Sequence, residues 1–168
     1  MNSDLINKII LIKEVLDPKY IVRCEDSLKY DDRKAYNLIN DKDKLKELLN
    51  VYENSCGLKE IFKYLDSPEV RYLYCSSFHD AKIYNVEYTS KALYIYLNGS
   101  QATSWPKDMN SKIILVFYGA KNVEVDKLPS FFDSCEIQAL NKRLFINISS
   151  TCKSCSFSFK DVKFVNVE

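Results

Sequence analysis

Glycine is scarce, and histidine and tryptophan more so: the 168-residue chain has three glycines, one histidine and one tryptophan. Gly57, Gly99 and Gly119 stand too far apart to build a glycine-rich strand-to-helix turn, so a phosphate-cradling loop is excluded. With His79 the sole imidazole, no histidine pair exists for a zinc centre. An excess of one charge is also missing. Lys and Arg number 24 against 23 Asp and Glu, scattered along the chain, so no basic stripe marks a nucleic-acid footprint. Finally, no window approaches the roughly 20 apolar residues that a membrane-crossing helix needs. The apolar run near the N-terminus is interrupted by Asn7, Lys8, Lys13 and Glu14, and no small-residue cleavage site follows it. The expectation is a soluble cytoplasmic protein whose partners include neither nucleic acid nor membrane.

Six cysteines are present, at positions 24, 56, 75, 135, 152 and 155. Without a secretory signal they are expected to be reduced thiols. Cys152-Lys153-Ser154-Cys155 is a lone C-x-x-C lacking the second knuckle of a structural zinc site. It leads into a strand pattern, where a thioredoxin-type motif would open a helix, and Cys155 shares a face with Phe157 and Phe159 as a small core residue would. The acids at Asp31-Asp32 and Asp41/Asp43 sit among lysines and read as solvated caps and turns. No metal and no cofactor is expected.

Apolar residues, at 46% of the chain with 13% aromatic, are abundant enough for a packed core. Their spacing changes along the sequence. Leu5, Ile9, Ile12 and Leu16 recur at helical intervals, as do Leu45, Leu48, Leu49 and Tyr52, and Leu58, Ile61, Phe62 and Leu65. Ser67-Pro68 reads as an N-cap followed by proline at the first helical position, opening a short helix through Tyr74. The stretch 20–40 is ambiguous, with a short strand or loop near 21–24 and a helix near 32–39. Beyond Ser76 the period becomes two: Leu93, Ile95 and Leu97; Val123 and Val125; Leu144, Ile146 and Ile148. "KIILVFYG", apolar on both faces, predicts a central strand covered from both sides. Thr89-Ser90 and Asn141-Lys142 mark hairpin turns, and Lys160-Asp161 a turn or bulge before a last strand. Helices followed by strands with short links predict an α+β fold: a helical part over 1–75 packed on a mainly antiparallel β-sheet or sandwich over 76–168, the two forming one cooperative unit since the sheet needs cover.

The segments "FHDAKIYNVEY", "ALYIYLNG" and "KIILVFYGAKNVEV", then "CEIQAL", "RLFINIS" and "CSFSFKDVKFVNV", together resemble an uncharacterised family of small bacterial proteins. Its members have a variable helical N-terminal part and a β-rich domain. That domain opens with a hydrophobic-His-Asp-small-x-aliphatic motif, here Phe78-His79-Asp80-Ala81-Lys82-Ile83, and closes around an aromatic-x-Asp-aliphatic motif, here Phe159-Lys160-Asp161-Val162. The resemblance covers the second half of the chain. Some similar proteins lie near bacterial toxin genes and are regarded as immunity proteins, which implies a toxin as partner. Ala81 stands where serine is common, and Phe131-Phe132 where a tryptophan-rich segment often stands.

Two kinds of site follow from the residues themselves. His79 beside Asp80 has the makings of a catalytic pair, since a carboxylate can orient an imidazole. Adjacent residues on an extended strand point to opposite faces, however, so the pair works only if the backbone bends there. The favoured reading makes it a structural fixture at the strand entry; the rival makes it the centre of a small-ligand or hydrolase-like pocket between helices and sheet. The aromatic residues point to contact instead of turnover. Tyr94 and Tyr96 face away from Leu93, Ile95 and Leu97, with Tyr84 and Tyr88 as neighbours across the hairpin; the favoured expectation has the N-terminal helices bury this face, and the alternative leaves it an exposed tyrosine ladder. Trp105 lies in the long loop "GSQATSWPKDMN" and Phe131-Phe132 in "KLPSFFDSC", where the aromatics either meet a partner or tuck over the ends of the sheet. Large amphipathic rings of this kind anchor protein interfaces. The expectation is a non-catalytic module that binds another protein by occlusion, with an unprotected edge strand leaving self-association as a further route.

Overall fold

The computed structural model describes residues 60, 61, 63–74, 78–103, 105, 106 and 109–167. The stripes over 5–16 and 45–52, the stretch 20–40 and most of the expected 1–75 subdomain lie outside the described residues. Helix α1 (Pro68–Tyr74) begins where the Ser-Pro signal places it. Ser67 Oγ accepts the Val70 amide proton at 3.4 Å, and Ser67 O accepts that of Arg71 at 3.1 Å. Ile61, Leu65, Val70 and Leu73 are buried in the same apolar cluster as the strands, so the described part of the N-terminal region packs onto the β-structure.

Eight strands follow: β1 (Ala81–Tyr88), β2 (Ala92–Asn98), β3 (Lys112–Tyr118), β4 (Phe131–Phe132), β5 (Ser134–Leu140), β6 (Arg143–Ser149), β7 (Ser154–Phe159) and β8 (Asp161–Asn166). They form a five-stranded sheet, β4-β1-β2-β3-β8, and a three-stranded sheet, β5-β6-β7. Every pairing is antiparallel. The inner faces meet through interlocked rings, with Phe117 lying 5.1 Å from Phe157 and 5.0 Å from Phe159, both edge to face. The chain passes between sheets twice with hardly a linker. Asp133 alone separates β4 from β5, and Lys160 alone separates β7 from β8, so the sandwich is stitched at both sides. Helix α1 packs against β5 and β8, one strand of each sheet, and bridges them.

Local chemistry sets the turns. Asn141 and Lys142 both have positive φ, 51° and 60°, the two-residue hairpin geometry that asparagine tolerates and that matches strand twist. Thr89 Oγ1 accepts the Lys91 and Ala92 amide protons, at 3.2 and 3.1 Å, closing the β1–β2 turn. Gly119, at φ 61°, turns the chain out of β3; its carbonyl accepts from Arg143 Nη2 at 2.7 Å. Lys121 then pairs with Ser158 along the free edge of β7, partly covering it.

Two expectations are revised, and a third, the central strand, is met in part. The strand expected around Val123 and Val125 is a 3-10 turn over Val125–Lys127, because two alternating residues are too few to secure a partner strand. Phe131-Phe132, expected in a loop, is a short edge strand paired with Ala81 and Lys82. "KIILVFYG" is β3, which lies beside the middle strand β2; Ile113, Leu115 and Phe117 point inward, and of its outward residues Val116 is buried while Ile114 is half-buried.

Two outcomes test this packing. Phe117→Ala removes the ring that joins the two sheets and should lower unfolding free energy by about 3–5 kcal/mol in denaturant titration. The second concerns Glu69, which accepts from Lys163 at 3.3 Å and ties α1 to β8. Burial by itself raises its carboxyl, but its own backbone amide, the Ser67 hydroxyl and Lys163 together hold it below its ordinary value. A depressed folded-state value means stability that is present above the unfolded value and is lost as pH falls through the folded one. Glu69→Gln should therefore cost about 0.5 kcal/mol at pH 7, given the half-exposed lysine, and the gap from wild type should close on acidification below the carboxylate range.

Candidate functional site

The His79-Asp80 pair sits on a turn, residues 78–80, whose form follows from three neighbours. Asp80 adopts the left-handed region, φ 65°, which aspartate visits more readily than most side chains. The bend that a catalytic reading required is thus present, and His79 Nδ1 lies 3.3 Å from Asp80 Oδ1. Both remain open to solvent, with side chains 52% and 40% exposed. The second carboxylate oxygen is already occupied, accepting from Thr103 Oγ1 at 2.8 Å. Backbone bonds complete the anchorage: the Asp80 amide donates to Phe132 O at 3.1 Å, and the Thr103 amide donates to His79 O at 3.2 Å. The turn therefore fastens the start of β1 to β4 and to the loop after β2.

Under this turn lies Phe78, fully buried. Its ring meets Phe164 at 5.3 Å, Trp105 at 5.4 Å, Phe132 at 6.0 Å and Tyr72 at 6.4 Å. Two of the sequence's interface candidates belong to this cluster. Phe132 is 1% exposed and faces the core. Trp105 packs partly buried against the core, its Nε1 donating to Asn110 O at 3.2 Å. The indole lies against the Gly99 backbone, where a Cβ would strike its ring. Their areas are committed to internal packing.

The other candidates stand on the outer face of the five-stranded sheet. Phe131 is 44% exposed and neighbours Lys82 across the ladder. One rung carries Asn85, Tyr96, Ile114 and Val165; the next carries Glu87, Tyr94, Val116 and Lys163. A bulge between Ile83 and Asn85 inserts Tyr84, whose ring meets Tyr96 edge to face at 5.9 Å. Tyr84, Tyr118 and Val165, none of them singled out from sequence except Tyr84 as a cross-hairpin neighbour, are exposed beside the half-buried Tyr94 and Tyr96. Alternation in β3 and β8 carried that signal, but the pairing of β8 with β3 was needed to read it. Tyr96 Oη donates to Glu87 Oε1 at 3.0 Å, and this bond to a carboxylate raises the phenol above its ordinary value. Lys112 Nζ lies 6.0 Å from the Tyr84 ring centre, at the same end of the face as Lys82.

Elsewhere, an open groove of about 290 Å³ lies on the outer face of the three-stranded sheet, and neither His79 nor Asp80 lines it. Cys135 and Cys155 are buried and Cys152 exposed; burial pushes the Cys135 and Cys155 thiols up, away from the reactive thiolate. Among the described residues no group of three or more His, Cys, Asp or Glu side chains is placed to hold a metal ion, and no helix is long and apolar enough to cross a membrane. Comparison with protein-family models, curated proteins and solved structures finds no match.

The role of the turn is measurable. Asp80→Ala keeps the strained φ and breaks the Thr103 bond, so it should lower stability by about 1–2 kcal/mol in urea titration. Asp80→Gly should cost less, because glycine relieves the strain while losing only the bond. Equal stability in all three proteins would show that the carboxylate does not secure the turn.

Proposed function

We propose that the protein is a non-catalytic binding module whose partner is another protein, engaged through the outer face of the five-stranded sheet. The observation that carries this reading is the composition of that face. Tyr84, Tyr94, Tyr96, Tyr118, Phe131 and Val165 form an aromatic-rich surface on a rigid sheet, with Lys82 and Lys112 at one end. Tyrosine supplies contact area at low entropic cost because few torsions are frozen on binding. The lysines call for a partner whose complementary patch has an apolar centre and a carboxylate-bearing rim. The resemblance of the second half of the chain to suspected immunity proteins supports a bacterial toxin as that partner, inhibited by occlusion of its active surface. An interface of about 1,200–2,000 Å² would serve.

The exposed, solvent-screened His79-Asp80 pair favours this reading over turnover, since its carboxylate is engaged with Thr103 and holds the fold together.

The test is co-expression with the product of a neighbouring toxin gene, followed by calorimetric titration of the purified pair. Tyr96→Ala, Tyr118→Ala and Phe131→Ala should each weaken binding by roughly tenfold to a hundredfold, about 1.4–2.8 kcal/mol, with melting temperatures unchanged. Undiminished binding in all three would remove the outer face from the mechanism.

A further inference from the structure

The outer face of the three-stranded sheet has a different chemistry from the tyrosine face, and its details point to a second ligand. Register places Gln138, Phe145 and Ser158 on one rung and Glu136, Asn147 and Ser156 on the adjacent one. Together with Asn122 they line the groove of about 290 Å³. Its floor centre is Phe145, a large apolar ring left 40% exposed among amides and hydroxyls.

Asn147 is held in a defined orientation. Its Oδ1 accepts from Ser154 Oγ at 2.7 Å and from Ser156 Oγ at 3.0 Å. Both acceptor positions are thereby used, and the two Nδ2 protons remain free to donate outward. The side chains of Asn122, Glu136 and Gln138 make no hydrogen bond or ion pair among the described residues. Arg143, the nearest cation on β6, is committed to Ser158 Oγ at 3.3 Å and Gly119 O at 2.7 Å.

These features discriminate between ligand classes. The lining includes one carboxylate and no cation, which disfavours phosphates and other anions. Its amides, hydroxyls and carboxylate interrupt the apolar area around Phe145, which disfavours a lipid or a wholly apolar peptide anchor. A neutral polyhydroxylated ring satisfies it on both counts. Sugar hydroxyls donate and accept at once, matching free amide N–H groups and carboxylate oxygens, while the ring's C–H face lies on the negative face of an aromatic. Size agrees as well. Residues two apart on a strand stand roughly 7 Å apart and strands roughly 4.8 Å, so the two-rung, three-strand grid covers about one to two pyranose units.

We propose that this face binds a neutral carbohydrate, one pyranose stacking on Phe145 while Asn147, Gln138, Asn122 and Glu136 hydrogen-bond its hydroxyls. The site is independent of the protein-binding reading, since it lies on the other sheet. A shallow platform with a single ring predicts a Kd on the order of 1 mM for one sugar unit.

The experiment is an amide NMR titration of the full chain with methyl glycosides of glucose, galactose, mannose and N-acetylglucosamine and with their β1,4- and α1,4-linked disaccharides, up to roughly 20 mM. At least one probe should give saturable shifts centred on residues 136–138, 145–147 and 156–158. Phe145→Ala and Asn147→Ala should each weaken that binding by about tenfold or more, whereas Phe145→Trp should retain or tighten it. Phe145 is exposed, so its replacement leaves the core intact, and an unchanged amide spectrum outside the groove would verify this. Absence of saturable shifts with every probe, shifts centred elsewhere, or full binding by Phe145→Ala would each overturn the proposal.

Discussion

The burial of one ring, Phe78, governs the rest of the structure. It sits where α1, the loop after β2, the edge strand β4 and the last strand β8 converge, through Tyr72, Trp105, Phe132 and Phe164. A ring at that junction can be buried on all sides only if the chain turns sharply after it, and the turn is what Asp80 supplies with its left-handed backbone and its bond from Thr103. The imidazole beside it follows from this placement. His79 is carried outward by the same bend and contributes a solvent-screened contact to Asp80. In physical terms the turn is a clasp at the point where Phe78 enters the core.

Much of the fold could be read from local chemistry, and the misses share one cause. The Ser67-Pro68 helix start, the Asn141-Lys142 and Thr89-Ser90 turns and the alternation of β2 and β6 each depend on residues within a few positions of one another. The chain's division into two sheets does not. Lys160 reads as a turn between neighbouring strands, yet β7 and β8 belong to different sheets, and only the partners β6 and β3 decide that. The inward or outward fate of the aromatic candidates had the same dependence. Phe131 and Phe132 are chemically identical, and the pairing of Phe132 with the buried Ala81 sends one in and the other out. Trp105 reads as a contact residue because the loop sequence does not show that it folds back to lay the indole on Gly99, its own first residue. For the site, Tyr94 and Tyr96 were visible from alternation, while Tyr118 and Val165 needed the β3–β8 pairing.

The stitched sandwich also explains why its two outer faces can differ so much. Inner positions are fixed by interdigitation of both sheets, and each strand carries the outer positions as a by-product of its period of two. Because Asp133 and Lys160 make the crossings with a single residue each, neither sheet can slide against the other. A surface on such a frame is preorganised, so little ordering cost opposes binding on it. One face carries tyrosines and aliphatics among lysines and Glu87 at its outer positions, the other amides, hydroxyls, Glu136, Phe145 and Leu140.

The two short motifs singled out in the sequence are both placed by the frame. Phe78-His79-Asp80-Ala81 is the clasp, and Phe159-Lys160-Asp161-Val162 is a corner between sheets, where Phe159 and Val162 are buried and Asp161 Oδ1 accepts its neighbour's amide proton at 2.8 Å. Both motifs serve the scaffold, and a scaffold by itself says nothing about what binds to it. Residues that a scaffold does not require are the ones free to be selected for contact. On this chain those are the outward positions of β1, β2, β3 and β8 on one side and of β5, β6 and β7 on the other. Substitutions that alter binding without altering the fold should therefore lie in these rungs, where a side chain can change without disturbing Phe78 or the ring contacts beneath it.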